Sequence, residues 1–202
     1  MKQTIRTVGV VVTLALTTDE LRSLLADNTE LVRGLFAELA TRAEGPRCAP
    51  MESTGAAGDL GRLAKDGIEA VEKVLALQRV PAFSGLSAEE IRQLANIARS
   101  VTMTAGTQLF DASAAPATFL LLSGEVEIDP PDGVKLTARG GDVIGSFCAL
   151  AGRDTGMAAS VTRSGYALRI AADDLFELLS ERPDLLRQLF AGLSRTARTA
   201  VR

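Results

Sequence analysis

Between residues 101 and 170 the chain consists of short runs in which apolar and polar residues alternate, each ended by turn-forming residues. Alternation with a period of two is typical of strands that bury one face. The clearest turn is Pro130-Pro131-Asp132-Gly133, whose glycine supplies the positive φ that a hairpin requires. Many short strands in succession indicate a β-barrel or jelly roll. The predicted strands are residues 101–104, 107–110, 118–122, 125–128, 134–137, 142–144, 158–162 and 166–170.

Helical patterns flank these strands on both sides. Residues 59–78 are predicted to form one helix, although Gly61 and Gly67 weaken it, and Pro81 ends it. Ser87 and Glu90 form a capping box that begins a second helix, which extends to about residue 99. After the last strand, helices are predicted at residues 173–180 and 184–198, because Pro183 suits the first turn of the latter. The residues expected to face the core are Leu60, Leu63, Val71, Val74 and Leu75 in the first helix and Ile91, Leu94, Ala95 and Ala98 in the second.

The chain also contains an internal repeat. Residues 19–43 align with residues 173–197 without a gap, at an offset of 154, and 11 of the 25 positions are identical. The shared apolar positions are spaced by three and four, so the same helical face is expected to be buried in both copies. The identical pairs include Leu24/Leu178, Leu25/Leu179, Leu31/Leu185, Arg33/Arg187, Leu35/Leu189, Phe36/Phe190, Ala37/Ala191 and Leu39/Leu193.

The repeat extends upstream of these helices. Residues 11–16 fall opposite residues 165–170, so we predict a final strand at residues 10–16 that leads into a helix. The same segment, with Lys2 and Arg6 ahead of it, is about the size of a signal-peptide core, but the repeat favours the strand. One strand and two helices cannot build a core alone, so this N-terminal segment is expected to bind a protein partner or to self-associate. The face expected to pack on the rest of the chain or on another chain comprises Leu21, Leu24, Leu31, Leu35 and Leu39.

Composition argues against several classes of function. Apolar residues make up 47% and charged residues 23% of the 202 residues, as in a globular protein. The net charge is −3 without a block of Lys or Arg, which argues against a nucleic-acid partner. Without any histidine, no convincing nucleophile–base pair or metal set can be assembled, so neither an enzyme nor a metal site is predicted. Cys48 and Cys148 are predicted to be reduced thiols of a cytoplasmic protein, and no apolar run approaches the ~20 residues of a membrane span.

Four short motifs follow one another along the chain: residues 80–87 (Val-Pro-Ala-Phe-Ser-Gly-Leu-Ser), Leu122-Ser123-Gly124, Gly141-Asp142-Val143-Ile144-Gly145 and Ala158-Ala159-Ser160-Val161. Together they resemble the cyclic nucleotide-binding domains over residues 76–198, and residues 5–43 resemble the end of a second such domain. The resemblance implies an α+β fold in which an eight-stranded β-roll (a double-stranded β-helix or jelly roll) is flanked by N- and C-terminal helices. It also implies an N-terminal remnant of one strand and two helices.

The expected organisation combines the repeat with this resemblance. Residues 1–43 are interpreted as the C-terminal remnant of a first domain, since Met1 aligns with Thr155 inside the second copy. Residues 44–58, rich in Gly, Pro, Ser, Thr and Ala, are predicted to be a linker. Residues 59–80 then form a connecting helix, and residues 81–202 form the complete cyclic nucleotide-binding-like domain.

In that family the segment after Gly-Asp-x-x-Gly holds the ligand. A short helix directs its N-terminal N–H groups at the cyclic phosphate, a glutamate binds the ribose hydroxyl, and an arginine pairs with the phosphate. Here the helix corresponds to residues 146–151, but Ser146 stands at the glutamate position and Met157 at the arginine position. Losing both charge-assisted bonds would cost ~4 kcal/mol, which turns a micromolar site into a millimolar one. Arg153 could act as a surrogate, although a solvent-facing loop arginine is the simpler interpretation.

The resemblance leaves two functions open. The first is a non-enzymatic regulatory or interaction module that has no cofactor and acts through its helices without binding cyclic nucleotide tightly. The second is a genuine sensor that holds cyclic AMP, cyclic GMP or another small anionic ligand through the backbone N–H groups of residues 146–151. The tandem arrangement is similar to that of bacterial members linked to transporters or helical repeats. The candidate ligand-binding residues are Gly145, Ser146, Phe147, Cys148, Ala149, Arg153, Met157, Ala158 and Ser160.

Overall fold

The computed structural model describes residues 9–13, 15–44, 51–54, 60–63, 67–111, 115–129, 134–145, 158–182, 184–186, 188 and 189. Two antiparallel β-sheets and the helices around them make up this part of the chain. The strands are β1 (Met51–Ser53), β2 (Arg99–Met103), β3 (Gln108–Phe110), β4 (Ala117–Leu121), β5 (Glu125–Asp129), β6 (Leu136–Arg139), β7 (Asp142–Ile144), β8 (Ala158–Arg163) and β9 (Gly165–Ala171). The helices are α1 (Thr18–Ala26), α2 (Thr29–Glu44), α3 (Ala70–Leu77), α4 (Ala88–Ile97) and α5 (Ala172–Glu181).

All eight strands expected between residues 101 and 170 are present as β2–β9, which confirms the predicted α+β fold with a β-roll. One sheet has the order β1-β7-β4-β9-β2 and the other has the order β3-β8-β5-β6. Within the described residues the two sheets face each other without closing into a barrel. The buried and exposed residues of the paired strands follow the alternation read from the sequence. A shift of one residue in the pairing register would exchange the buried and exposed faces of a strand.

The five-stranded sheet is buried on both faces. Its inner face packs against the four-stranded sheet and forms the interior of the roll, where Phe119, Leu121 and Ile144 meet Val126 and Ile128. Its outer face carries Leu120, Leu122, Val143, Leu168 and Ile170, which pack against the helices in a second core cluster. Residues 184–186, 188 and 189 are helical, and Leu185, Leu186 and Leu189 belong to that outer cluster. The helices therefore cover the sheet on the side away from the roll interior.

The helix that precedes the roll begins at the predicted capping box. Ser87 accepts from the backbone N–H of Glu90, whose carboxylate accepts in turn from the Ser87 backbone N–H at 2.7 Å. Ile91, Leu94, Ala95 and Ala98 are buried, as expected from their spacing. Ahead of it, Pro81–Phe83 forms a short 3-10 turn that buries the Phe83 ring, so the opening motif is a fixed part of the core.

The single helix predicted for residues 59–78 is wrong. The described residues contain a 3-10 turn at Gly61–Leu63 and then α3, and Gly67 between them has a φ of 71°. A left-handed residue cannot lie inside an α-helix, so the apolar stripe of one continuous helix does not form. Leu60 is buried, whereas Val71 and Leu75 are exposed and α3 buries Ala76 and Leu77 instead.

The strand predicted at residues 10–16 is also wrong: none of the described residues in this range is in a strand, and Val10, Val12 and Leu16 are exposed. A strand exists only where another strand satisfies its backbone groups, and no described strand pairs with this segment.

The N-terminal helices do pack on the rest of the chain, but with a different face from the one predicted. Val32 and Phe36 of α2 are buried, and the Phe36 ring meets the Phe176 ring of α5 edge-on, with centroids 5.7 Å apart. Arg33 lies over the same Phe176 ring and its guanidinium donates to Asp173 at 2.6 Å. Of the predicted face, the leucines at 21, 24, 31 and 35 are exposed, so it does not pack on the rest of this chain, and packing on another chain stays a prediction; Leu39 lies outside the residues whose side chains are described.

Some predictions fall on residues that the structure does not describe. They are the hairpin turn at residues 130–133 and the part of the last helix beyond residue 189, including Phe190. Among the described helices, none combines the length and the apolar character needed to cross a membrane.

Candidate ligand site

Gly145 ends β7 at the point where the chain leaves the five-stranded sheet. Its φ is 78°, and a Cβ at this position would come within 2.7 Å of the Ala117 carbonyl oxygen. Both observations require glycine, since a side chain would be strained by the backbone conformation and would collide with β4. β7 itself is held by pairing of Val143 with Leu120 and of Ile144 with Phe119. The start of the candidate site is therefore fixed by the sheet.

The turn that leads into β7 is a tight structural element of the roll. Asp142 accepts a hydrogen bond from the Arg139 backbone N–H at 2.8 Å, and the Gly141 N–H donates to the Leu121 carbonyl at 2.8 Å. A Cβ on Gly140 would lie 2.9 Å from the Leu122 carbonyl oxygen. The glycines and the aspartate thus serve the β6–β7 turn.

The other end of the candidate site is β8, on the opposite sheet. Ala158 pairs with Asp129 of β5, and Ser160 lies between Glu127 of β5 and Gln108 of β3. Alternation along β8 places Ala159 and Val161 in the roll interior, whereas Ser160 is exposed. Of the nine candidate residues, the structure thus describes one at the end of the first sheet and two on the second.

Six candidate residues lie outside the described part of the chain. Ser146, Phe147, Cys148, Ala149, Arg153 and Met157 all belong to the segment that connects Gly145 with Ala158. Their assignment to a ligand site stays a prediction from the sequence. What the structure establishes is the position of the two ends, one on each sheet of the roll.

The described interior of the roll between these ends is lined by apolar side chains. Met103, Phe119, Ile144, Ala159 and Val161 are buried there. The Phe119 ring stacks on the Phe110 ring with centroids 5.7 Å apart and an interplanar angle of 18°. Among the described residues, the buried polar or charged side chains are Glu90 on α4 and Thr118, neither of which belongs to the interior cluster.

The basic side chains on the outer face of the four-stranded sheet have acidic partners. The Arg139 Nε lies 2.8 Å from the Glu125 Oε1, and Arg163 reaches the same carboxylate at 3.8 Å. Lys135 donates to Glu127 at 2.7 Å, and this bond, together with the charges of Glu127 and Asp129, raises the pKa of the lysine. Cross-strand pairs of this kind stabilise a solvated sheet face and leave these three cations already engaged.

A cleft of about 330 Å³ lies between the C-terminal end of α4 and one side of α5. Three carboxylates line it, from Asp174, Glu177 and Glu181, together with a single cation, Arg99, whose guanidinium is 4.0 Å from Asp174. This charge repels anions, so the cleft does not suit a phosphate. In the described part of the chain no group of three or more His, Cys, Asp or Glu side chains is arranged to hold a metal ion.

Sequence reasoning missed a strand beside the candidate site. β1 comes from the segment predicted as a linker and pairs antiparallel with β7, with Met51 opposite Ile144 and Ser53 opposite Asp142. The Thr54 N–H continues the ladder to the Gly141 carbonyl at 2.9 Å. Three residues between Gly-, Pro- and Ala-rich stretches are too short to show an alternation. Their position at the sheet edge, one residue from Gly145, is visible only in the tertiary structure.

Comparison with solved structures identifies the fold. The sequence matches no protein-family model and none of the curated proteins. The N-terminal domain of a transcriptional regulator from Streptomyces coelicolor A3(2) superposes with a TM-score of 0.54 at 21% identity, covering 62% of this chain and 94% of that one. A cyclic nucleotide-binding domain from Methylobacillus flagellatus gives a TM-score of 0.52 at 20% identity, covering 65% of this chain and 76% of that one. The sensor domain of the transcriptional regulator DNR from Pseudomonas aeruginosa gives 0.51 at 20% identity, covering 65% and 93%.

These identities are low, so the likeness concerns the fold. It covers the features described above: two facing antiparallel sheets and helices packed on the outer face of one of them. The β-roll with its flanking helices therefore has the same fold as these cyclic nucleotide-binding and sensor domains.

Proposed function

We propose that this chain is a non-enzymatic regulatory or interaction module that does not bind cyclic nucleotide tightly and acts through its helices. The observation that carries the proposal is the pair Ser146 and Met157, which stand where ligand-binding domains of this type hold a glutamate and an arginine. The frame around them is retained, since Gly145 makes its tight turn and β8 begins at Ala158. The chain thus keeps the turn and the strand on either side of the candidate ligand segment, whereas its sequence lacks the glutamate and the arginine that bind a nucleotide.

The described surroundings of the segment support this proposal. The roll interior is packed with apolar side chains, including the stacked Phe110 and Phe119 rings. Among the described candidate residues, Ser160 is the one with a hydroxyl group, and it lies on the exposed face of β8. Arg139 and Arg163 of the neighbouring strands are engaged by Glu125. A phosphate would have to rely on backbone N–H groups for its binding, and these contribute less than charge-assisted bonds.

A role in regulation agrees with the structural neighbours. One is the N-terminal domain of a transcriptional regulator and another is the sensor domain of such a regulator. In this chain α5 follows β9 directly, and its Leu175, Phe176 and Leu179 pack in the cluster that covers the five-stranded sheet. A change in the sheet would reach the rest of the molecule through this helix and through α2, which packs on it.

The alternative function is a true sensor of cyclic AMP, cyclic GMP or another small anion. The observation that favours it is Gly145, whose left-handed conformation retains the turn from which the following N–H groups would be presented. In this case Arg153 would replace the missing arginine. The two proposals differ by ~4 kcal/mol in the free energy of nucleotide binding. This difference corresponds to roughly three orders of magnitude in the dissociation constant.

Isothermal titration calorimetry with cyclic AMP and cyclic GMP tests both proposals. We expect the natural chain to bind no tighter than about 1 mM, and Ser146→Glu with Met157→Arg to bind measurably tighter. The control, Ser146→Gln with Met157→Leu, places a side chain of glutamate size at residue 146 and an apolar one at residue 157 without adding charge, and is expected to give no gain. Micromolar binding by the natural chain contradicts the first proposal, and its loss in Arg153→Met would assign the anion contact to Arg153. If the natural chain binds neither nucleotide and the charged double variant gains nothing over the control, the backbone N–H groups are not presented to a cyclic nucleotide and a cyclic nucleotide sensor is excluded.

A further inference from the structure

The two copies of the internal repeat bury the same leucines to very different extents. Leu21, Leu31 and Leu35 are 40%, 37% and 36% exposed. Their counterparts at the offset of 154 are Leu175, Leu185 and Leu189, which are 2%, 0% and 0% exposed. We call the first three residues the leucine face. The same positions are therefore covered in the C-terminal copy and uncovered in the N-terminal copy.

The segment ahead of α1 shows the same contrast. Leu16 is 53% exposed, whereas its counterpart Ile170 is 3% exposed in the middle of the five-stranded sheet. Residues 165–170 belong to β9, which pairs with β2 on one side and with β4 on the other. The counterpart residues 11–16 are apolar and partly β-branched, and the described ones among them have no strand beside them. The described residues of 11–16 thus lack the neighbouring strands of their C-terminal counterparts, and the helix pair lacks the sheet that covers the leucines of the C-terminal copy.

The C-terminal copy shows what covers such a surface. Leu175, Leu185 and Leu189 lie in one cluster with Leu120, Leu168 and Ile170 of the five-stranded sheet, and with Leu94 of α4. Their environment is the outer face of a β-roll that has its opening helix in place. Identical leucines at identical helical spacing fit the same kind of surface, because the shape of the apolar face is set by that spacing.

We propose that residues 11–36 form a docking surface for one kind of partner, an incomplete β-roll of the same type that lacks its last strand and closing helices. Residues 11–16 would supply the missing strand by β-augmentation, and the leucine face would close the outer side of the sheet. The roll of this chain is not that partner, because β9 already stands between β2 and β4 and α5 already covers the outer face. The opposite side of α2, with Val32 and Phe36, stays on Phe176, so the docked roll would be connected to α5 through a single helix. This inference does not depend on nucleotide binding.

The test joins an incomplete roll to this chain, at the position given by the repeat offset of 154 residues. Residues 81–164 are placed directly ahead of residue 11 of the chain, so that Ser164 is followed by Val11 in the register of the Ser164–Gly165 junction. The readout is backbone hydrogen exchange of residues 12–16, which occur once in the fusion protein. We expect their exchange to slow by about 100-fold or more relative to the natural chain, as for amides that enter a sheet.

Two matched variants of the fusion protein separate docking from a general effect of added chain. Leu31→Ser with Leu35→Ser removes two of the three residues of the leucine face and is expected to abolish the protection of residues 12–16. Val71→Ser with Leu75→Ser makes the same change at the same spacing on the exposed side of α3 and is expected to preserve it. Residues 165–171, also present once, report that the native roll remains folded. The proposal is overturned if residues 12–16 stay unprotected in the fusion protein while residues 165–171 stay protected, or if the two variants behave alike.

A second measurement on the natural chain identifies a competing occupant. Sedimentation equilibrium is expected to show a monomer over the micromolar range. A dimer that Leu31→Ser with Leu35→Ser dissociates, and Val71→Ser with Leu75→Ser does not, would show that a second copy of this chain covers the leucine face. That result would overturn the assignment of the surface to an incomplete roll.

Discussion

The helix pair at residues 18–44 and the described helical residues 172–181, 184–186, 188 and 189 have related sequences and different roles in the fold. In the second, the repeated leucines are buried on the five-stranded sheet, as Leu175 and Leu185 illustrate. In the first, the corresponding leucines are exposed and α2 uses its neighbouring side, Val32 and Phe36, to pack on α5. The comparison teaches that an amphipathic pattern specifies a face able to be buried, whereas the structure decides which surface covers it.

The two helical regions also differ in the hydrogen bonds that fix their first turns. α1 has its own capping box, in which the Glu20 carboxylate accepts from the Thr17 backbone N–H and hydroxyl at 2.7 and 2.8 Å. These bonds, the backbone one first, lower the pKa of Glu20. The N-cap of α5 is Ala171, whose methyl side chain cannot accept a hydrogen bond, and the Ala172 N–H donates instead to the Pro116 carbonyl at 3.0 Å. Local side chains define the first helix start, and a tertiary contact defines the second.

The largest effect is expected where the two copies meet. Phe176→Ala removes a ring that is fully buried and that contacts both Phe36 and Arg33. We expect the free energy of unfolding to fall by about 3–5 kcal/mol, as for other buried aromatic truncations. Urea denaturation followed by circular dichroism measures it. A loss below about 1 kcal/mol would mean that α2 and α5 do not pack as described.

A matched pair of leucines tests the difference in burial directly. Leu175→Ala is expected to lower the free energy of unfolding by about 2–5 kcal/mol, because its side chain is buried in the outer cluster. Leu21→Ala, at the equivalent exposed position, is expected to change it by no more than about 0.5 kcal/mol. Both values come from the same denaturation experiment. Equal losses at the two positions would show that the first copy is covered in solution.

A smaller effect is expected at the helix start that depends on local side chains. Thr17→Ala removes the N-cap of α1 and is expected to destabilise that helix by about 1 kcal/mol. Hydrogen exchange should report this as faster opening of α1 with no change in β9, whereas Thr13→Ala, on an exposed residue outside the cap, should leave both unchanged. Faster exchange in β9 as well would show that α1 and the roll unfold together.

The same cap gives a pH dependence with a definite sign. Because the pKa of Glu20 is lowered in the folded chain, its contribution is present above the unfolded value of 4.5 and is lost as the pH falls through the folded pKa. Protection of α1 should therefore decrease on acidification below pH ~4 in the natural chain, and Glu20→Gln should remove this dependence. An unchanged acid response in Glu20→Gln would assign the dependence to other carboxyl groups.

The smallest effect is expected for the ion pair that joins the copies. Arg33 donates to Asp173 at 2.6 Å, but the Asp173 side chain is mostly exposed, so solvent screens the pair. A double-mutant cycle with Arg33→Gln and Asp173→Asn is expected to give a coupling energy of about 0.2–1 kcal/mol that decreases with added salt. A coupling energy near zero at low salt would leave the Phe36–Phe176 contact as the connection between α2 and α5.

Much of the roll could be predicted from the sequence because its signals are local. The eight strands follow from alternation and turn residues, and β7 has the predicted bounds, Asp142–Ile144. The turn around Gly141 and the glycine requirement at Gly145 follow from motifs that depend on backbone conformation. Of the candidate site, the sequence predicted the two ends that the structure places on facing sheets. It could not predict that Ser160 faces outward, which depends on which side of β8 the other sheet covers.

The sequence by itself determined the eight strands between residues 101 and 170, the helix starts at the two capping boxes, and which helical faces are apolar. Those properties depend on residues within a few positions of one another, as in the Ser87–Glu90 and Thr17–Glu20 boxes. Only the tertiary structure decided that residues 51–53 join β7, that residues 10–16 are not a strand, and that α2 packs with Phe36 rather than Leu35. Each of these depends on a partner distant in sequence, because a strand needs another strand for its hydrogen bonds and an apolar face needs a complementary surface.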